Sequence, residues 1–180
     1  TYEDAARLHA DADVLINTTP GGMYPAVEGC PVALDAFPNL SGVVDAVYNP
    51  LRTNLVLQAR SRGIPAEGGL YMPAAQAAYD KKGEDVQVLD LTELSDVCDY
   101  FVLATGTNNR QVDSIVDEIE EKVAEACGEH PFSIEGREQK TWMLMDYGSV
   151  VVHVFTPEAR DFYRLEKLWG DAPQLPLNLL

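Results

Sequence analysis

The sequence predicts an α/β chain, with a mixed sheet and flanking helices in its second half and a partial α/β segment in its first. Three observations carry this expectation. Short apolar runs rich in Val, Ile and Leu alternate with segments whose apolar residues recur at helical spacing. The front of the chain reads strand, strand, helix, strand, which is half of a doubly wound sheet. Farther on, two apolar runs flank Gly148-Ser149 and predict a hairpin, which brings antiparallel pairing into the second half.

Taken in order, Val14-Leu15-Ile16 is a short apolar run that ends in the turn-rich loop 17–23. Residues 42–48 read as a second buried strand, stopped by Asn49-Pro50. Residues 53–62 read as a helix with Thr53 as N-cap, Leu55, Val56 and Ala59 on one face, and Gly63 as its stop. Residues 64–68 supply a third short strand. Three strands and one helix make a poor core alone, and the first strand should present an unpaired edge. Residues 73–80 are Ala-rich with Pro73 in the first turn, so a short helix is expected, and Lys81-Lys82-Gly83 marks a boundary between domains 1–80 and 81–180.

Beyond that boundary, 86–91 is expected as a half-buried strand, with Val86 and Val88 on one face and Gln87 on the other. Residues 100–105 form a second strand ending at Gly106, and Asn108 or Asn109 caps the next helix. In that helix Val112, Ile115, Val116, Ile119 and Val123 recur at helical spacing, which leaves Asp117, Glu118, Glu121 and Glu125 in water. Gly128 should end it. Strands 141–147 and 150–155 make the hairpin. A final helix over 158–169 should turn Phe162, Leu165, Leu168 and Trp169 inward, with a loosely ordered tail after Gly170.

Composition narrows the function. The chain carries 29 acidic and 13 basic residues, a net charge of −16, of which −5 falls in residues 1–80 and −11 in residues 81–180. Such a surface repels phosphate backbones, so direct nucleic-acid binding is disfavoured and a basic protein partner favoured. No apolar run reaches the length of a membrane span, and the acidic start has no signal-peptide pattern. Cys30, Cys98 and Cys127 are odd in number and scattered, which implies neither a disulfide framework nor a zinc site and fits a reducing cytoplasm. His153 lies among valines and reads as a packed, hydrogen-bonded core group; His9 and His130 lack ligand-spaced companions, so no metal is expected. Tyr100, Arg110, Trp142, Tyr147 and Trp169 are of the types that dominate interface energetics, with Trp169 expected in the core.

Two resemblances add to this. Residues 99–111 (DYFVLATGTNNRQ), 146–155 (DYGSVVVHVF) and 162–173 (FYRLEKLWGDAP), in this order, resemble the ribosomal silencing factor family (RsfS, or Iojap-like), over about 83–173. The resemblance implies a mixed sheet with flanking helices, akin to the nucleotidyltransferase fold. It also implies a translational repressor that grips a basic ribosomal protein, the fourteenth of the L series, on the large subunit and sterically blocks subunit joining. Carried over position by position, the partner-binding candidates are Tyr100, Arg110, Gln111, Trp142, Asp146, Tyr147 and His153. Family members also form homodimers when free, which implies self-association. A nucleotidyltransferase-like enzyme, with Asp99, Glu135 and Asp146 gathered as metal ligands, is a third reading. It lacks the glycine-serine motif and paired Asp-x-Asp that such chemistry needs.

The front segment resembles the C-terminal part of shikimate dehydrogenase. NTTPGGM (17–23), YNPLRT (48–53) and GLYMPAAQAA (69–78) match its late motifs in order over about 10–78, and imply a partial Rossmann-type segment in a gene fusion. By that resemblance Asn17, Thr18 and Thr19 lie beside a nicotinamide cofactor, Tyr48 and Gln76 face the substrate, and Met72 lines the nicotinamide pocket. No G-x-G-x-x-G turn follows a strand, and the catalytic Lys and Asp of that family are missing, so these positions are expected to be vestigial. The chain is therefore expected to be no enzyme and to need no cofactor. The alternative is the C-terminal part of a bifunctional NADP-dependent shikimate dehydrogenase fused to a silencing factor.

Overall fold

The computed structural model describes residues 2–47, 50 and 52–177, so Tyr48 lies outside the described residues. The chain divides into two compact units, Thr1–Gly69 and Leu70–Leu180.

The front unit is a small parallel sheet. β1 (Val14–Asn17), β2 (Gly42–Asp45) and β3 (Ala66–Gly68) pair side by side in that order, all parallel. A helix, α1 (Tyr2–Leu8), precedes β1, and α2 (Asn54–Ser61) is the crossover from β2 to β3. Thr53 caps α2 by accepting the Val56 N–H at 3.3 Å. Leu55, Val56 and Ala59 turn from α2 into a core with Leu34, Phe37, Leu40 and Val43. Among the described residues no strand lies beside the outer edge of β1, and Val14 and Ile16 are 51% and 63% exposed.

The back unit is a five-stranded mixed sheet. α3 (Tyr71–Asp80) leads into β4 (Glu84–Asp90) and β5 (Tyr100–Thr105), followed by α4 (Asn109–Cys127). Then come β6 (Ser133–Glu135), β7 (Trp142–Asp146) and β8 (Val150–Phe155), and the short helices α5 (Pro157–Tyr163) and α6 (Leu165–Leu168). The strand order is β4-β5-β8-β7-β6, with only β5 and β8 parallel. Successive side chains of a strand point to opposite faces. Val102, Ala104, Met143, Met145, Val150, Val152 and Val154 share one face by register and are all buried, against α3 and α4. The second face carries Phe101, Leu103, Trp142, Leu144, Val151, His153 and Phe155.

α4 is built as its sequence implies. Asn108 caps it, accepting the Gln111 N–H at 3.0 Å, and Gly128 ends it in the left-handed conformation at φ 64°. Gly106, between β5 and this cap, has no room for a side chain, because a Cβ there would sit 2.8 Å from Val112 N.

Four expectations differ from the structure. The Ala-rich helix packs on α4 and the sheet, so the boundary between compact units falls after Gly69 rather than after Asp80. Alanines at 74, 75, 77 and 78, all buried, let the two helices approach closely. β6 was not anticipated; three residues are too short for alternation to register. The single helix over 158–169 is two, because Arg164 adopts φ 47° and resets the helical phase. Leu165 and Trp169 pack inward, whereas Phe162 and Leu168 are 80% and 75% exposed. The tail is ordered along β4: Asp90 N–H donates to Pro173 O, Leu175 N–H donates to Val88 O, and Gln174 bridges to Leu89.

Candidate functional site

The second face of the back sheet is only partly roofed. Leu165, Trp169 and Ala172 cover Leu89, Leu103 and Phe155. Toward β7 the cover thins, and Trp142, Leu144 and Val151 remain half-buried. Trp142 stacks on Phe155 (centroids 5.3 Å, 21° between planes) and meets Tyr163 of α5 at 4.4 Å. Tyr163 in turn meets the exposed Phe162 at 5.1 Å, edge to face. The result is a continuous aromatic ridge, Trp142–Tyr163–Phe162, at the margin of the roof. Asp146 and the exposed Glu135 share the sheet face with it by register, and Asp161 stands exposed on α5.

His153 sits beneath this ridge, 4% exposed. Its Nδ1 accepts the Trp142 indole N–H at 3.2 Å, and its ring meets Phe101 edge to face at 4.6 Å. Burial lowers its pKa from 6.5 to about 4, so the ring is neutral near pH 7. The packed-histidine reading matches this geometry, and a metal-ligand role does not.

The remaining sequence candidates separate. Tyr100 and Tyr147 are 4% and 2% exposed and point to the helix-covered face, Tyr100 against Tyr71 at 4.8 Å. Both are core groups that offer a partner no surface in this structure. Parity signalled as much: from Trp142, Tyr147 falls on the opposite face with Met143 and Met145. Gln111 is committed internally. Its Oε1 accepts from Thr107 N and Oγ1, while its Nε2 donates to the carbonyls of Lys81 and Lys82, tying the end of α3 to the start of α4. Asp146 Oδ1 accepts the Gly148 N–H at 2.7 Å and shapes the hairpin turn. Arg110 is exposed on the first turn of α4. Phe162 and Tyr163 lie outside the sequence candidates; one unbroken helix over 158–169 would turn Phe162 inward with Leu165 and Trp169, whereas the break at Arg164 separates their phases and Phe162 is exposed.

Asp99, Glu135 and Asp146 do not assemble: among the described residues, no three His, Cys, Asp or Glu side chains lie together in a metal-holding group. In the front unit, Asn17, Thr18 and Thr19 line a cleft of about 460 Å³ beside β1. Asn17 is buried by structural bonds, donating to Asp45 Oδ1 at 2.9 Å and accepting from Thr19 Oγ1 at 2.7 Å. Met72 and Gln76 belong to α3 of the back unit, where Met72 is 58% exposed and Gln76 donates to Asp80 at 2.8 Å.

A family model described as "Ribosomal silencing factor during starvation" matches residues 66–180. The chain belongs to the ribosomal silencing factor family. A silencing factor of Bacillus subtilis is 44% identical over 105 residues, covering 58% of this chain and 88% of that protein. A mouse relative named "Mitochondrial assembly of ribosomal large subunit protein 1" is 33% identical over 91 residues, 49% of this chain and 40% of its own. A crystal structure of a Chromobacterium violaceum protein superposes with a TM-score of 0.55 at 36% identity, covering 62% of this chain and 91% of that one. The mixed α/β sheet with its flanking helices is thus the silencing-factor fold. The matched segment begins four residues before Leu70 and includes α3, which is consistent with that helix packing in the silencing-factor unit. Among the described residues no helix is long and apolar enough to cross a membrane.

Proposed function

We propose that the chain represses translation sterically. The partly roofed sheet face docks on a basic protein of the large ribosomal subunit, the fourteenth of the L series, and the bulk of the domain excludes the small subunit. The observation that carries this reading is the Trp142–Tyr163–Phe162 ridge on a sheet face that also carries Asp146 and Glu135, with Asp161 exposed on α5. Aromatic anchors inside a charged rim are the anatomy of a protein interface, and the net charge of −16 favours a basic partner. The name of the mouse relative, which refers to the large subunit, supports the same partner class. No chemical step is required, only affinity and bulk, and self-association of the free protein in the cytoplasm is part of the proposal.

Cosedimentation of the full chain with purified large subunits tests it. Truncating an interface anchor typically costs at least ~2 kcal/mol, about thirtyfold in affinity. Trp142→Ala should lose that much with its fold intact, whereas Glu121→Ala, on the exposed side of α4, should not. Saturating full chain should also block joining of purified subunits without nucleotide or metal. Unchanged subunit joining would overturn the reading.

For the front unit, we infer a vestigial part of a shikimate-dehydrogenase-like sheet, on the strength of its three parallel strands and the loop 17–23 beyond the carboxyl end of β1. NADP-dependent oxidation of shikimate by the purified chain would show instead that it retains that activity.

A further inference from the structure

We propose that His153 is a positioning residue, which holds the indole of Trp142 in the orientation that a protein partner grips. The inference rests on the docking face proposed above and adds a residue that acts through another.

The argument begins with an anomaly. His153 is buried in a strand whose residues at 150, 151, 152 and 154 are all valine, with Phe155 at its end. Its Nδ1 accepts a hydrogen bond, so in the neutral ring the proton is on Nε2. That Nε2 is buried and has no partner among the described residues. A buried donor without an acceptor is destabilising, and an aliphatic side chain of similar size would avoid the cost. As a core residue, then, histidine is a poor choice. Its single polar contact is the bond from Trp142, and that contact is what the imidazole adds over valine or leucine.

The consequence for Trp142 is geometric. The indole is held at three points: its N–H on His153, its face on Phe155, and Tyr163 at its flank. The last two contacts are apolar and leave the ring free to flip about its own long direction. The bond to His153 is directional and selects one of those orientations. With the orientation fixed beforehand, the partner need not pay the entropy of ordering the ring.

The test uses the full chain in a Trp169→Phe background, which leaves Trp142 as the one tryptophan. His153→Asn places an amide oxygen where Nδ1 stands and can accept the indole N–H; His153→Leu cannot. The indole N–H proton resonance of Trp142 and affinity for purified large subunits are measured for each variant, with melting temperature as a control. His153→Leu is expected to melt no lower than its parent, to shift the indole resonance toward the value of a solvent-exposed or unbonded N–H, and to bind large subunits about tenfold more weakly. His153→Asn should keep both the resonance and the affinity. An indole resonance unmoved in His153→Leu would overturn the inference, and so would a moved resonance with unchanged affinity. If Trp142→Ala itself binds normally, the docking face is wrong; the indole resonance still reports whether His153 orients the ring.

Discussion

Tyr147 carries a hydroxyl that is buried and has no hydrogen-bond partner among the described residues, and burial holds the phenol well above its ordinary pKa. Deleting such a group removes a desolvation cost, so Tyr147→Phe should be neutral or stabilising by up to ~1 kcal/mol. Tyr147→Ala leaves a cavity and should cost ~3–5 kcal/mol. Chemical denaturation separates the two, and a loss of ribosome binding in the alanine variant would then report a damaged core. His153 makes a second residue-scale prediction, in pH. Its folded pKa is about 4, below the 6.5 of the unfolded chain, because burial disfavours the imidazolium. Between those values the unfolded chain holds more protons, so stability is complete above about pH 6.5, falls as the pH drops, and levels off below about 4. The loss from this one ring reaches ~3 kcal/mol at about 1.4 kcal/mol per pKa unit. His153→Leu should flatten the stability profile across that window.

At the scale of elements, the pair α5–α6 is held by one buried cation. Arg160 donates through Nε to Glu166 at 2.5 Å and through Nη1 to Asp85 O and Thr105 Oγ1 at 2.9 and 2.8 Å, so one guanidinium links both helices to β4 and β5. Arg160→Ala should cost ~3 kcal/mol, since its partners lose a charged donor. Freed helices would also expose Trp169 and Tyr163, and a red shift of tryptophan emission with weaker large-subunit binding would register it. The same helices show where sequence reading succeeds and where it stops. α4 was legible because its apolar positions keep one phase for 19 residues between a capping Asn108 and a terminating Gly128. β5, β8 and the hairpin were legible from β-branched runs broken at glycine. The helix break was not, because an arginine at φ 47° has no compositional signature of the kind that glycine gives. Among the site residues, Trp142, Asp146 and His153 fall on the proposed face as alternation implies. Tyr100 and Tyr147 do not, because residue type says that a tyrosine can anchor a partner but not which side of the sheet the helices cover.

On the scale of the whole molecule, the charge of −16 should make association with the large subunit fall with salt, mainly through the on-rate, since charges facing a basic surface are screened over about 8 Å at physiological ionic strength. Stopped-flow binding at two salt concentrations checks this, and a dissociation rate that changed more than the association rate would contradict it. The fold also constrains how two copies could meet. An uncovered strand invites another chain to continue the sheet, and at the Val88–Asp90 end of β4 residues 173–175 already occupy the places a visiting strand would take, which leaves it a shortened edge. At the opposite margin β6 offers only three residues, too short a row to recruit a neighbour firmly. If back units pair as proposed, the fold steers them away from sheet continuation and toward contact through faces; should that contact use the proposed docking face, self-pairing and repression would be rival uses of one surface. Deleting residues 173–180 should unblock β4 and produce larger, concentration-dependent assemblies in sedimentation velocity, while a tail that served only as decoration would leave the distribution as it was.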